Sequence, residues 1–190
     1  MNMRRRLIGP VAIATASLAL HASAGAQERH NNTAAGLVQE VRLATAGFRQ
    51  LEAATAAGYA STGSCVSGPE RGAMGIHFAN GPLIEDGVLD AKSPELLIYE
   101  QRNGRLRLLG VEFLVIAEAW HAHTDTPPVL MGQHFHYVGS PNRYGLPPFY
   151  ELHVWAWREN VNGMFVDWNP GVSCEEYSPD DPALAAAGHH

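Results

Sequence analysis

The sequence predicts an α+β fold in which an N-terminal helix packs on a curved, mostly antiparallel sheet or partial β-barrel. A helical period of apolar residues occurs near the N-terminus, several later segments alternate apolar and polar residues, and an Asn-Gly pair separates two of those segments. One helical segment followed by a run of strands is typical of the α+β class. We expect about six to eight strands, and a closed β-sandwich with the helix at its side is the alternative.

Residues 1–26 are predicted to be a secretory signal peptide. Three arginines at residues 4–6 precede an apolar stretch at 7–20, and Ala24-Gly25-Ala26 forms a small-x-small cleavage site. The pattern favours a bacterial Sec-type signal over a twin-arginine signal. We therefore expect cleavage after Ala26 and export of the mature chain to the periplasm or the medium.

Composition and charge limit the partners of the mature chain. The sequence has 13 basic and 19 acidic residues, a net charge of −6, and removing the three arginines at residues 4–6 leaves 10 against 19, or −9. So acidic a chain repels phosphate backbones, and we expect no nucleic-acid partner. No later segment is long and apolar enough to span a membrane. We predict one soluble α+β domain at residues 27–177 and a flexible C-terminal tail at 178–190.

The two cysteines, Cys65 and Cys174, lie far apart in the sequence. In an exported chain, two such cysteines are expected to form a disulfide. Closing so long a loop stabilises a fold by about 4–5 kcal/mol when chain entropy alone is counted. The sequence therefore predicts a Cys65–Cys174 disulfide that ties the segment after the helix to the last strand region.

The first element is predicted to be one amphipathic helix over residues 34–57. Asn32 or Thr33 is the expected N-cap, and Gly58 is the expected C-terminal stop. Residues on one face of a helix recur every three or four positions. The apolar residues of this segment follow that spacing: Leu37, Val41, Ala44, Phe48, Leu51 and Ala54.

The middle of the chain is predicted to form a loop, a short strand and a hairpin. Residues 59–72 are rich in Ser, Gly and Pro and are expected to be a loop. A strand at 72–78 carries His77, and its two glycines indicate a bulge or a close backbone approach. Segments 95–100 and 105–117 flank Asn103-Gly104, which is a strong hairpin signal. Strict alternation in the second hairpin strand places Glu112 in the row of Leu106, Leu108, Gly110, Leu114 and Ile116, opposite Arg107, Leu109, Val111, Phe113 and Val115.

Three more strands are predicted in the last third of the sequence. After a loop at 118–128, the strand at 129–138 places His134 and His136 on one face. A short last strand is expected at 164–168. The strand at 149–157 places Tyr150, Leu152, Val154 and Ala156 on one face. The other face carries Phe149, Glu151, His153, Trp155 and Trp157.

Polar residues inside apolar strands indicate a metal site. A buried ionised carboxylate such as Glu112 must be protonated, paired or ligated, because an isolated charge is costly to bury. Imidazole and carboxylate are ordinary ligands for Zn, Cu, Fe and Mn. We predict that one transition-metal ion is bound by residues drawn from His77, Glu112, His134, His136 and His153.

Glu151, Trp155 and Trp157 are predicted to line a ligand pocket beside the metal. Two other interpretations remain: a metal-free module that binds a small molecule in an aromatic cavity, and a structural domain whose His–Glu pairs are internally hydrogen-bonded. The sequence contains no Gly-x-Ser-x-Gly elbow and no phosphate-binding glycine loop. The residues therefore do not decide whether the protein is an enzyme.

Four motifs resemble those of a family of exported bacterial proteins to which no activity is assigned. They are Gly-Ala-Met-Gly-Ile-His-Phe at 72–78, Gly-Val-Glu-Phe at 110–113, Tyr-Glu-Leu-His-Val-Trp at 150–155 and Gly-Met-Phe-Val-Asp-Trp-Asn-Pro at 163–170. The resemblance covers the mature chain from the helix to Cys174. It implies a single exported domain and transfers no catalytic residues.

Overall fold

The fold consists of N-terminal helices packed on a six-stranded antiparallel sheet that curls into a half-barrel, which confirms the predicted class. A computed structural model describes residues 33–68, 70–182 and 184. The predicted signal peptide at 1–26 lies outside these residues. The sheet order is β1-β2-β3-β4-β8-β7, and β5 and β6 form a separate two-stranded sheet.

The predicted helix at 34–57 is broken into three pieces. Thr33 is the N-cap, and its hydroxyl accepts a hydrogen bond from the Gly36 amide at 3.2 Å. The break follows Phe48, whose carbonyl accepts a 2.6 Å hydrogen bond from the Tyr99 hydroxyl of the sheet, and Gln50 is extended. The helical elements are α1 (Ala34–Thr45), a 3₁₀ turn (Ala46–Arg49), α2 (Leu51–Ala56), α3 (Gly81–Glu85) and α4 (Ala117–His121).

The strands agree with the predicted hairpin and depart from several other predictions. The predicted loop at 59–72 is largely strand β1, an irregular edge strand that pairs only with β2 within the described sheet. The predicted strand at 164–168 is instead a loop. The strands are β1 (Ala60–Gly68), β2 (Gly72–Ala79), β3 (Leu96–Arg102), β4 (Arg105–Ile116), β5 (Val129–Leu130), β6 (Gln133–His134), β7 (His136–Val138) and β8 (Phe149–Val154).

A bulge in β4 changes the alternation of side chains that was predicted for this strand. Ile98 pairs with Gly110 and Tyr99 pairs with Leu108, so Leu109 is an extra residue in β4. Leu106 and Leu108 therefore contact the helix-side core, together with the later residues Val111, Phe113 and Val115. Leu109 instead joins the opposite face, in a buried cluster with Ala73, Ile98, Trp155 and Val172. A bulge of this kind reverses the faces of the residues before it.

Glycines in β2 allow neighbouring backbone to approach closely, as the sequence predicted. A Cβ atom at Gly72 would lie 2.1 Å from the Asn169 carbonyl oxygen, and one at Gly75 would lie 2.7 Å from the Tyr99 carbonyl oxygen. Both glycines have positive φ, 84° and 97°, which L-residues rarely adopt. These contacts fix β2 between the last loop and β3.

The C-terminal segment packs against the domain beyond the predicted domain end at residue 177. The Ser178 amide donates to Gln101 Oε1, and Gln101 Nε2 donates to Asp181. Leu184 is buried in the helix-side core. Residues 183 and 185–190 of the predicted tail lie outside the described structure.

Cys65 and Cys174 form the predicted disulfide. It joins β1, rather than the expected loop, to the segment after the last loop. No helix in residues 33–68, 70–182 and 184 is long and apolar enough to cross a membrane.

Replacing both cysteines with alanine is expected to lower the free energy of unfolding by about 2–5 kcal/mol. The disulfide closes a loop with a sequence separation of 109 residues, and its removal frees the unfolded chain. Urea unfolding at equal protein concentration measures the change. A double variant as stable as the wild type, or a wild type unaffected by a reducing agent, would contradict this role.

Glu95 is a buried carboxyl group outside the predicted site. One of its oxygens accepts a 3.0 Å hydrogen bond from the Leu114 amide, while Oε1 has no partner among the described residues. Burial raises the pKa of Glu95 to about 8, and the nearby carboxylates of Asp86 and Glu112 contribute in the same direction. The carboxyl group of Glu95 is therefore protonated in the native state at neutral pH.

Glu95→Gln is expected to remove a loss of stability that occurs as the pH rises from about 4.5 to about 8. Because the native pKa is about 8 and the ordinary value is 4.5, stability is fullest below about pH 4.5. It falls by up to about 1.4 kcal/mol per pH unit until the pH passes about 8. Urea midpoints measured across this range should fall less in Glu95→Gln than in the wild type. Parallel pH profiles would show that Glu95 is ionised in the native state.

Candidate metal site

Three predicted site residues from three strands come together on the sheet face opposite the helices. His77 lies on β2, Glu112 on β4 and His153 on β8. His77 Nε2 is 3.2 Å from Glu112 Oε2, and His153 Nε2 is 3.7 Å from the same oxygen. Their side chains are only 7 %, 6 % and 0 % exposed. They can hold a metal ion, because one ligand atom from each lies within 4.8 Å of the others.

Strand pairing positions two of these residues, and side-chain length brings in the third. Glu112 is directly opposite His153 in the β4–β8 pair. Gly110 permits this pairing because a Cβ atom there would lie 2.3 Å from the Val154 carbonyl oxygen. His77 lies two strands from β4, or about 9.6 Å between backbones. Its imidazole and the Glu112 carboxylate therefore meet over β3.

The site lies between two apolar clusters on the same face. Trp155 belongs to one of them, and its ring stacks against His153 with centroids 6.3 Å apart. The second cluster contains Leu96, Leu114 and Phe149. These clusters place apolar side chains on both sides of the polar residues, so the charge on the buried Glu112 must be compensated by its neighbours.

Glu112 is held ionised by those neighbours. Burial alone would raise its pKa, but His153, together with hydrogen bonds from His77 and Glu151, reverses this and keeps the pKa below its ordinary value. Glu151 is the opposite case, since burial, Glu112 and Asp167 raise its pKa to about 9. Glu151 is therefore protonated at neutral pH and donates its O–H to Glu112.

His153 is fully buried and lacks hydrogen-bond partners in the described structure. Neither Nδ1 nor Nε2 has a partner at hydrogen-bond distance. Burial lowers the pKa of His153, while the charge of Glu112 acts in the opposite direction. Its Nδ1 lies 3.6 Å from Asp167 Oδ1, so Asp167 can orient the ring, as carboxylates do behind metal-bound histidines.

The other two predicted histidine ligands lie outside this cluster. The predicted strand at 129–138 is interrupted at Phe135, which separates β6 from β7. His134 is exposed in the two-stranded sheet, opposite Val129. His136 is exposed on β7, and its Nδ1 lies 3.2 Å from Asp167 Oδ1. The continuous strand predicted at 129–138 is therefore wrong, because this segment is divided into β5, β6 and β7.

The two predicted pocket tryptophans occupy different faces. Trp155 packs behind His153 and donates its indole N–H to the Val166 carbonyl at 2.6 Å. Trp157 lies beyond the end of β8 and donates to the Thr45 hydroxyl of α1 at 3.0 Å. Neither is among the described residues that line the cavity beside His77 and Glu112.

Sequence reasoning missed Asp167 as a site residue. The sequence predicts a strand at 164–168, whereas Asp167 belongs to a loop held by backbone contacts with Trp155 and Ala73. Asp167 also forms a second candidate group with Glu151 and His153, whose ligand atoms all lie within 4.8 Å of one another. The Trp168-Asn169-Pro170 turn directly after Asp167 is the one feature of the sequence that indicates a loop here.

Comparisons with known proteins give no relative from which a function can be transferred. No family model, no curated protein and no solved structure matches the chain.

Glu151→Gln is expected to preserve stability at pH 7, whereas Glu151→Ala lowers it by about 1–3 kcal/mol. Glutamine reproduces the donor and acceptor of the protonated acid, while alanine removes the hydrogen bond to the buried Glu112 carboxylate. Urea unfolding measures both variants, and the exposed Glu118→Ala serves as a control. Equal destabilisation by glutamine and alanine would mean that Glu151 is ionised.

Proposed function

We propose that the protein is an exported metal-binding protein that holds one divalent transition-metal ion through His77, Glu112 and His153. The observation that carries this proposal is the fully buried His153 ring, which has no hydrogen-bond partner in the described structure and lies beside an ionised carboxylate. An imidazole buried in this way leaves both nitrogens unsatisfied unless a further group binds them.

The spacing of the ligand atoms supports this proposal. Metal–ligand bonds of about 2.0–2.2 Å in a tetrahedral site separate neighbouring ligand atoms by about 3.3–3.6 Å. The two distances to Glu112 Oε2, 3.2 and 3.7 Å, are close to that range. The strands therefore need little movement to accept an ion.

The donor set narrows the choice of metal. Two imidazoles and one carboxylate occur in catalytic zinc sites and in non-haem Fe(II) sites. In both classes three protein ligands leave at least one coordination position for a water molecule or substrate. The proposed site therefore suits metal-dependent catalysis as well as metal binding.

Export is supported by the predicted signal peptide at 1–26 and by the Cys65–Cys174 disulfide. Disulfides persist in oxidising compartments outside the cytoplasm. The resemblance of four motifs to exported bacterial proteins agrees with this location.

Elemental analysis of untagged protein from its native compartment is the test. We expect close to one Zn or Fe per chain, and at least a tenfold loss of metal affinity in Glu112→Gln and His77→Gln, because each removes one of three ligands. His134→Ala is the matched control, since His134 is an exposed histidine outside the cluster.

Circular dichroism of each variant checks that the fold is retained. Wild-type protein that contains no metal and does not bind added Zn²⁺ or Fe²⁺ would contradict the proposal. The His–Glu cluster would then serve the fold alone.

A further inference from the structure

A cavity of about 350 Å³ lies beside the proposed metal ligands. His77 and Glu112 are both part of its lining. Its volume is at the lower end of the range for small-molecule sites, about 300–1,000 Å³. A molecule in this cavity would therefore lie next to the His77–Glu112 edge of the site.

One wall of the cavity is apolar. Leu96, Leu114 and Phe149 form a buried cluster that faces it. The half-buried Ile84 and Leu146 pack against the same cluster and extend the wall. This wall favours an alkyl chain or an aromatic ring, while the hydroxyl groups of Thr62 and Ser64 belong to the remaining lining.

The cavity lining includes one positively charged residue. Arg143 is the one lysine or arginine among the described lining residues. Its guanidinium lies over the Trp168 ring, 5.9 Å from the centroid, and this contact limits where the charge can move. The neighbouring Tyr144 packs its ring against Phe149 with centroids 6.0 Å apart. Arg143 is thus held beside an apolar wall.

We infer that this cavity binds a small monocarboxylate with an apolar body. The carboxylate of the ligand pairs with the Arg143 guanidinium through charge-assisted hydrogen bonds. The apolar body of the ligand packs on Leu96, Leu114 and Phe149. The inference rests on the proposed function in one respect. A bound divalent ion offsets the charge of Glu112, which would otherwise repel the anion.

Calorimetric titration of the metal-loaded and metal-free protein with octanoate and phenylacetate tests this inference. Their neutral amides, octanamide and phenylacetamide, have the same bodies without the charge. We expect at least one carboxylate to bind the metal-loaded protein at least tenfold more tightly than its amide. Arg143→Gln should abolish this preference, whereas Arg105→Gln, an exposed arginine at the β3–β4 hairpin, should leave it unchanged.

Substitution with Co²⁺ separates this inference from the proposed metal site. Metal binding is established by the cobalt absorption spectrum itself, and a ligand near the ion should alter that spectrum. If cobalt binds but neither carboxylate is preferred over its amide, or if Arg143→Gln retains the preference, the inference is overturned and the metal site stands. If the protein binds no metal ion at all, the proposed function is contradicted, and the inference that rests on it is overturned with it. Metal-free binding as tight as metal-loaded binding would overturn the link between the two sites.

Discussion

The buried carboxylate of Glu112 is the constraint on which the rest of the structure depends. An ionised carboxylate in an apolar sheet face is strongly unfavourable unless neighbouring groups compensate it. Two imidazoles lie within 3.7 Å of its oxygen, and the protonated Glu151 donates to it. The positions of β2, β4 and β8 are therefore tied together by one charge as well as by their backbone hydrogen bonds.

The two faces of the sheet meet different physical requirements. The face beneath the helices is a continuous apolar core that includes Leu37, Val41, Phe113 and Leu152. The opposite face is divided into two small clusters with the polar residues between them. Core packing therefore comes mainly from the helix side, while the other face can carry a site. The β4 bulge at Leu109 belongs to this arrangement, because it supplies an apolar contact to Trp155 next to His153.

Irregular segments complete the site and are held in place by specific contacts. The loop that carries Asp167 is fixed because the Trp155 amide donates to the Met164 carbonyl and Asn169 exchanges backbone hydrogen bonds with Ala73. The disulfide at Cys174 fixes the chain a few residues later. Asp167 can therefore lie behind His153 without belonging to a strand. The same loop carries Trp168, on which the Arg143 guanidinium packs.

The sequence by itself determined the class of fold, the β3–β4 hairpin, the disulfide and the polar positions His77, Glu112 and His153, because periodicity, turn chemistry and an isolated charge in an apolar row are local signals. Only the tertiary structure decided which histidines meet. His134 and His136 share a parity with each other, but Phe135 separates their strands, and no local pattern reveals such a break. Asp167, Arg143 and the cavity were decided in the same way, since they depend on contacts between segments far apart in the chain. Side chains that converge from three strands and a loop have no common spacing in the sequence. For this reason the sequence indicated a polar site but not the complete set of its residues.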